Sequence, residues 1–186
     1  HIQKPARITS NLIVGNKMIN MNNQSPQGLG AGMNVRMESR HDDNGNELFP
    51  WMYIINNTIA NNSQRMGDGN LNDNGAGLWI EYVNGTVFVF NNVIWGNESG
   101  AEENINMQLP DGVTLRHNDI QFSSQYPWFN ESTMYDVDPV FVDSTNGNFK
   151  LSDASPVIGA GDTEFEGNSA PNKDLLGSSR PAPSGS

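Results

Sequence analysis

A tripeptide of asparagine, any residue and isoleucine recurs along the first two thirds of this chain and restricts its fold more than any other feature. The four copies begin at Asn11, Asn57, Asn92 and Asn118. The first three also continue alike, with Val14-Gly15-Asn16, Ala60-Asn61-Asn62 and Trp95-Gly96-Asn97. Repetition of this kind is typical of chains that stack short, similar units.

A second motif lies between these copies. Gly30-Ala31-Gly32 and Gly75-Ala76-Gly77 each precede a strictly alternating segment, and a weaker copy follows Asn104. Alternation with a period of two predicts half-buried β-strands. The apolar members are therefore expected to point inward: Met33, Val35, Met37, Leu78, Ile80, Tyr82, Ile105, Met107 and Leu109.

These repeats predict an all-β parallel β-helix solenoid of about three to five coils. The coils are expected over residues 1–124, with insertions near 38–50 and 63–74, and residues 125–186 are expected to close the same domain. Asparagines at equivalent corners can bond to each other in a ladder, and asparagine tolerates the left-handed backbone of a sharp corner. We predict such a ladder at Asn11, Asn57, Asn92 and Asn118; exposed turn asparagines are the alternative.

Composition excludes several partners. The chain has 10 basic and 21 acidic residues, a net charge of −11, which argues against nucleic acid and against an anionic membrane. Only 35% of the residues are hydrophobic, which is low for an ordinary globular core, and there is no cysteine for a disulfide. No segment predicts insertion into a membrane.

The closing segment carries a more specific pattern. It runs through 138–143 (DPVFVD), 147–151 (GNFKL) and 155–161 (SPVIGAG), followed by Asp174-Leu175-Leu176-Gly177. With the asparagine repeat, this resembles the right-handed parallel β-helix of pectate-lyase-like proteins, in particular the C-terminal segment of secreted bacterial surface proteins. The resemblance implies an extracellular or cell-surface location, and earlier coils before Ile2 in a parent protein. That family includes lyases, hydrolases, epimerases, adhesins and inactive surface modules.

The outward-facing residues of the alternating segments form the candidate ligand-binding patch. Stacking places Asn34, Trp79 and Asn106 in one row and Arg36, Glu81 and Gln108 in the next. A flat aromatic ring beside forked hydrogen-bonding groups suits a polysaccharide or surface glycan, and His41 lies in the neighbouring insertion. The alternative is an exposed sheet with an ordinary cross-strand ion pair.

The two insertions are rich in oxygen ligands of the kind that suit Ca²⁺. The candidate metal ligands are Asp42, Asp43, Asn44, Asn46, Glu47, Asp68, Asn70 and Asn72. The second insertion fails as an EF-hand loop, because its sixth position is Asp73 rather than glycine. Solvated turns are the alternative for both, and no cofactor is required.

The sequence thus predicts a non-catalytic carbohydrate-binding, adhesion or structural module. A polysaccharide lyase or glycoside hydrolase domain is the alternative. A lyase could use Arg36 and His41, whereas a hydrolase would pair Glu81 with Asp42 or Asp43 only if the insertion folds back. Gln125 to Phe129 is expected to cap the coils rather than to serve as a sugar platform.

Overall fold

The structure, a computed structural model, describes residues 5–20, 30–66, 68, 70, 75–99, 104–105 and 111–180. Over these ranges the chain is all-β, with two short 3₁₀ turns at Ser123–Gln125 and Ser144–Asn146. The strands before the closing segment are β1 Ala6–Thr9, β2 Leu12–Val14, β3 Lys17–Asn20, β4 Met33–Met37, β5 Arg40–His41, β6 Glu47–Leu48, β7 Trp51–Ile55, β8 Thr58–Ala60, β9 Ser63–Met66, β10 Leu78–Val83, β11 Thr86–Phe90, β12 Val93–Trp95, β13 Val113–Arg116 and β14 Asp119–Ile120. The closing segment adds β15 Phe141–Asp143, β16 Asn148–Leu151, β17 Glu164–Phe165 and β18 Asn168–Ser169.

Equivalent strands of successive repeats lie side by side and parallel. One sheet has the order β1-β7-β11-β13 and a second has the order β2-β8-β12-β14, while β3 pairs with β9 and β4 pairs with β10. Each set of consecutive strands that pairs with the next set (β1–β3, β7–β9, β11–β12, β13–β14) is called a rung below. The prediction of an all-β chain with parallel sheets is confirmed, and the segments after Gly30 and Gly75 are parallel neighbours.

The core lies where the apolar side chains of neighbouring rungs meet. The isoleucines of the tripeptide align in register, with Ile13 opposite Ile59, Ile59 opposite Ile94 and Ile94 opposite Ile120. The last three are fully buried, and burial of such a side chain contributes about 1.5–3 kcal/mol. The predicted inward set is confirmed at Met33, Val35, Met37, Leu78, Ile80 and Ile105. The side chain of Tyr82, with Met107 and Leu109, lies outside the described part.

The predicted asparagine ladder is present. Asn11 Nδ2 donates to Asn57 Oδ1 at 2.9 Å, Asn57 Nδ2 to Asn92 Oδ1 at 2.9 Å, and Asn92 Nδ2 to Asn118 Oδ1 at 2.8 Å. Each Oδ1 also accepts the backbone N–H of the preceding ladder residue. These bonds satisfy buried amides that would otherwise lose hydration without a replacement partner. The interpretation as exposed turn asparagines is wrong for Asn57, Asn92 and Asn118, which are at most 1% exposed.

A second ladder runs alongside the first and was not predicted. Asn16 donates to Asn62 at 2.9 Å, Asn62 to Asn97 at 2.8 Å, and Asn97 to Asn104 at 2.8 Å, in each case from Nδ2 to Oδ1. Asn62, Asn97 and Asn104 are buried. Two parallel ladders therefore line both ends of the second sheet.

The left-handed corner residue is the one before each ladder asparagine, not the ladder residue itself. Ser10, Asn56, Asn91 and His117 have φ of 55°, 55°, 59° and 50°. The expectation that the ladder residue needs left-handed tolerance is therefore wrong. Asparagine suits the ladder position because its side-chain amide can donate to one neighbour and accept from another. The preceding position requires only a residue that tolerates positive φ.

Gly32 and Gly77 open the alternating strands where these cross the second ladder. A Cβ atom on Gly77 would lie 2.4 Å from the backbone oxygen of Asn104 and 2.7 Å from Asn97 Nδ2. One on Gly32 would lie 2.6 Å from the Gly77 oxygen and 2.9 Å from Asn62 Nδ2. The small residues of this motif therefore make room for the ladder.

We expect Gly77→Ala to lower the free energy of unfolding by about 2 kcal/mol, because its methyl group displaces buried ladder atoms. Urea denaturation measures the change. Gly45→Ala is the control, since nothing lies within 4 Å of a Cβ there and only its positive φ of 81° opposes the side chain. A cost at Gly77 no larger than that at Gly45 would show that close packing on the ladder is unimportant.

The closing segment covers the last rung and then returns along the first sheet. Tyr135 pairs in parallel with Asp119, and the sulfur of buried Met134 receives Asn118 Nδ2 at 3.9 Å. Trp128 and Phe129 pack against the main core, as the capping interpretation predicts. The pairs β15–β16 and β17–β18 are antiparallel.

Further along, Phe165 joins a small aromatic cluster on the first sheet. It packs against Phe90 with ring centroids 5.6 Å apart and against Phe88 at 5.7 Å. Asn168 Nδ2 donates to the hydroxyl of Tyr53 at 2.5 Å. The return segment is therefore attached to the strands by both apolar and polar contacts.

Candidate functional site

The predicted patch lies on the outward face of β4 and β10, and its described members are neighbours. Trp79 is in register with Asn34, and Glu81 with Arg36. Asn34 and Arg36 are exposed, while Trp79 and Glu81 are half-buried. Asn106 and Gln108, the predicted third members of the rows, lie outside the described residues. We call Asn34, Arg36, Trp79 and Glu81 the outward patch.

Charge on the outward patch is organised along β4. Arg36 forms a salt bridge with Glu38, the residue that directly follows β4, at 2.8 Å from Nη2 to Oε1. Both side chains are more than half exposed, so the pair contributes little to stability. The Arg36 guanidinium, the Glu38 carboxylate and the Glu81 carboxylate on the paired strand instead present several hydrogen-bonding groups.

Trp79 has an unusual environment for an aromatic residue in such a patch. Its Nε1 is buried and has no hydrogen-bond acceptor among the described residues. A buried indole N–H normally finds an acceptor, because leaving it without one costs free energy. The side chain sits against Gly30, where an added Cβ would lie 3.0 Å from Trp79 Cβ. Glycine at position 30 therefore leaves room for Trp79 Cβ and for the carbonyl group of Met33.

His41 and the first group of candidate metal ligands form a small hairpin. β5 and β6 pair antiparallel, with His41 opposite Glu47. Asp42 Oδ1 accepts the backbone N–H groups of Asn44 and Asn46, and its Oδ2 accepts Asn46 Nδ2, each at 2.9 Å. The hydrogen bonds from Asn46 lower the pKa of Asp42. The Asp42 carboxylate therefore stabilises a local turn. A solvated turn is the alternative to a Ca²⁺ site that the sequence analysis gives for this insertion.

The second group of candidate ligands is described only at Asp68 and Asn70. Asp68 Oδ1 accepts the backbone N–H of Asn70 at 2.9 Å, again a local turn bond. Asn72 lies outside the described residues. In the described part of the chain, no three His, Asp or Glu side chains come together in a way that could hold a metal ion.

A groove that the sequence did not reveal separates the second sheet from the closing segment. Its volume is about 770 Å³. Leu12, Thr58 and Val93, which are in register on adjacent strands, lie along one side. The closing segment contributes residues 147–151, 157–163, 170–172, 174–176 and 179–180. Leu175 and Leu176 at this groove are 59% and 83% exposed, an uncommon position for leucine.

Polar contacts hold the closing segment at the corner of the groove. Asn91 accepts the backbone N–H of Asp162 on Oδ1 at 2.8 Å and donates to its carbonyl at 2.6 Å. The Asp162 carboxylate lies 3.6 Å from Arg116 Nη2 and 3.7 Å from His117 Nε2. His117 Nδ1 lies 3.1 Å from the carbonyl oxygen of Ala160. Residues that precede ladder asparagines thus also anchor the closing segment.

Asp119 is the carboxylate with the most perturbed environment. It is 2% exposed, its Oδ1 accepts the backbone N–H of Val137 at 3.1 Å, and its Oδ2 has no partner among the described residues. Burial raises the pKa of Asp119 to about 7, and the charges of Asp136 and Asp138 act in the same direction. The described groups that face it therefore favour a protonated carboxyl. Sequence reasoning missed Asp119 because the alternation of side chains places it on the outward face of its strand. The closing segment covers that face in the folded chain.

No protein-family model, characterised protein or solved structure matches this chain. Among the described residues, no helix has the length and apolar character that crossing a membrane requires.

Proposed function

We propose that this chain is a right-handed parallel β-helix module that binds carbohydrate without turnover through the outward patch. The proposal is supported by one observation above all: Asn34 is in register with Trp79, and Arg36 with Glu81, on one sheet face. An aromatic ring flanked by amide and charged groups matches the alternating apolar and hydroxyl faces of a sugar. A secreted or cell-surface location accords with this proposal.

The parallel register supports the β-helix part of the proposal. Four neighbouring rungs each contribute a strand to the first sheet and to the second, and two asparagine ladders connect neighbouring rungs. Such an arrangement presents long, flat and regular outer faces. A polysaccharide with its own repeat can bind along such a face.

We expect the double variant Trp79→Ala/Glu81→Ala to weaken glycan binding at least tenfold, or about 1.4 kcal/mol, because it removes the ring and a hydrogen-bonding carboxylate. A glycan array with and without Ca²⁺ identifies the ligand, and calorimetry measures the loss. Trp51→Ala/Glu131→Ala is the matched control, since Trp51 is 56% exposed on another sheet and Glu131 is exposed. Unchanged binding in the patch variant, with a native circular dichroism spectrum, would reject the patch.

The second candidate is a carbohydrate-active enzyme that uses the groove. Its volume of about 770 Å³ lies within the usual range for small-molecule sites, and His117, Asp119 and Asp162 border it. The burial of Asp119 favours the non-catalytic proposal, because a carboxyl group that is only 2% exposed is poorly placed to contact a substrate. Release of unsaturated products or new reducing ends from a polysaccharide would support the enzyme instead.

A further inference from the structure

The first rung has one side that no described strand covers. β1, β2 and β3 each pair with one neighbour, β7, β8 and β9, and have no second partner in the described part of the chain. Ile8 and Ile13 are half-buried, whereas their register partners Ile54 and Ile59 are fully buried. The first rung therefore has the sequence and register of an interior rung but has no covering neighbour among the residues that the structure describes.

The hydrogen bonds of both ladders run in one direction. Every ladder Oδ1 in the second rung accepts the backbone N–H and Nδ2 of the first-rung residue, as Asn57 does from Asn11 and Asn62 from Asn16. At the first rung, no described group donates to Asn11 Oδ1 or Asn16 Oδ1. The uncovered side thus presents two acceptors at fixed positions.

The opposite end is closed in a different way. The first ladder ends where Asn118 Nδ2 meets Met134 Sδ, and the second ends where Asn104 Nδ2 lies 3.4 Å from Gln121 Oε1. Trp128 and Phe129 pack against the core there. The donors that end each ladder are therefore covered by the chain itself.

We propose that the first-rung edge is an interaction surface for one further parallel rung that carries asparagine at both corners. Its two Nδ2 groups and backbone N–H groups would donate to Asn11 and Asn16, and its isoleucines would cover Ile8 and Ile13. The proposal does not depend on glycan binding. Exposed strand edges favour pairing with another strand, and here the ladder acceptors select the partner.

The same polarity argues against a second copy of this chain as the occupant. Two first-rung edges that meet would set Oδ1 acceptors against Oδ1 acceptors. A head-to-tail contact would need free donors at the far end, where Met134 and Gln121 already receive them. The surface therefore fits a rung whose own donors are uncovered.

The test is a graft onto the full chain. A copy of residues 51–85 placed directly before Pro5 continues the register, because Met52 pairs with Ala6 and Thr86 pairs with Trp51. We expect amide exchange of β1–β3 to slow at least tenfold, toward the rates of β7–β9. The matched control graft carries Asn57→Asp and Asn62→Asp in the copy only, which replaces each donor amide with a carboxylate.

If both grafts slow the exchange of β1–β3 equally, the ladder asparagines do not select the partner. If the asparagine graft does not slow this exchange, the first-rung edge is not an interaction surface. If a graft exposes β7–β9 to exchange, a synthetic peptide of residues 51–66 added to the unmodified chain replaces it. We expect this peptide, and not its double-aspartate version, to slow exchange of β1–β3 at least threefold; no effect rejects the proposal. A dimer of the unmodified chain that already protects β1–β3 in sedimentation and exchange experiments would assign the edge to a second copy instead.

Discussion

Replacement of Asn92 with alanine is expected to lower the free energy of unfolding by about 3–5 kcal/mol, because Asn92 is the centre of the first ladder. Its Oδ1 accepts two bonds from Asn57, and its Nδ2 donates to Asn118 and to the carbonyls of Ile54 and Phe90. The substitution removes all of these and leaves the backbone N–H of buried Asn57 without its acceptor. Urea denaturation followed by circular dichroism measures the loss.

The matched control is Asn11→Ala at the exposed end of the same ladder. The Asn11 side chain donates to Asn57 and to the carbonyl of Thr9, but its Oδ1 accepts nothing from the described residues, so its loss is expected to cost about 1 kcal/mol. Asn92→Asp provides a second comparison, because it keeps an acceptor for Asn57 but sets a carboxylate against Asn118 Oδ1. If the three substitutions cost the same, burial and ladder position are irrelevant and the structural interpretation is wrong.

A fall in stability from about pH 4 to about pH 7 is the second large effect that we expect. Burial raises the pKa of Asp119 from an ordinary value of 3.8 to about 7, so the folded chain keeps a proton that the unfolded chain releases in this window. The stability linked to this group is complete below the unfolded pKa and is lost as the pH rises to the folded pKa. The full shift corresponds to about 4 kcal/mol.

The Asp119→Asn variant distinguishes this effect from the pH dependence that the other ionisable groups contribute. The amide keeps an oxygen for the Val137 N–H and cannot ionise, so the variant is expected to be more stable than the parent at pH 8 and within about 1 kcal/mol of it at pH 4. Asp153→Asn, at an exposed carboxylate, is the control and should leave the pH profile unchanged. Parallel profiles for the parent and Asp119→Asn, measured by urea denaturation, would contradict a protonated Asp119.

The first ladder and the second show how far repetition alone can be interpreted. Asn57, Asn92 and Asn118 recur in one sequence context, so their alignment could be predicted. The second ladder ends at Asn104, which lies in the segment between β12 and β13. Asn104 is only 7 residues after its ladder neighbour Asn97, whereas Asn97 is 35 residues after Asn62. A pattern search along the chain does not connect it to Asn16 and Asn62.

Local alternation therefore specified the alternating strands and their inward faces, because a period of two sorts side chains onto two faces before any long-range contact forms. The repetition of the motifs specified which of these strands are parallel neighbours. The packing of residues 125–180 is different, since it depends on distant partners such as Asn91 with Asp162 and Asp119 with Val137. No periodicity encodes those contacts. Only the folded chain creates the groove and the buried carboxyl group, because both arise where the closing segment covers a face that the repeat leaves exposed.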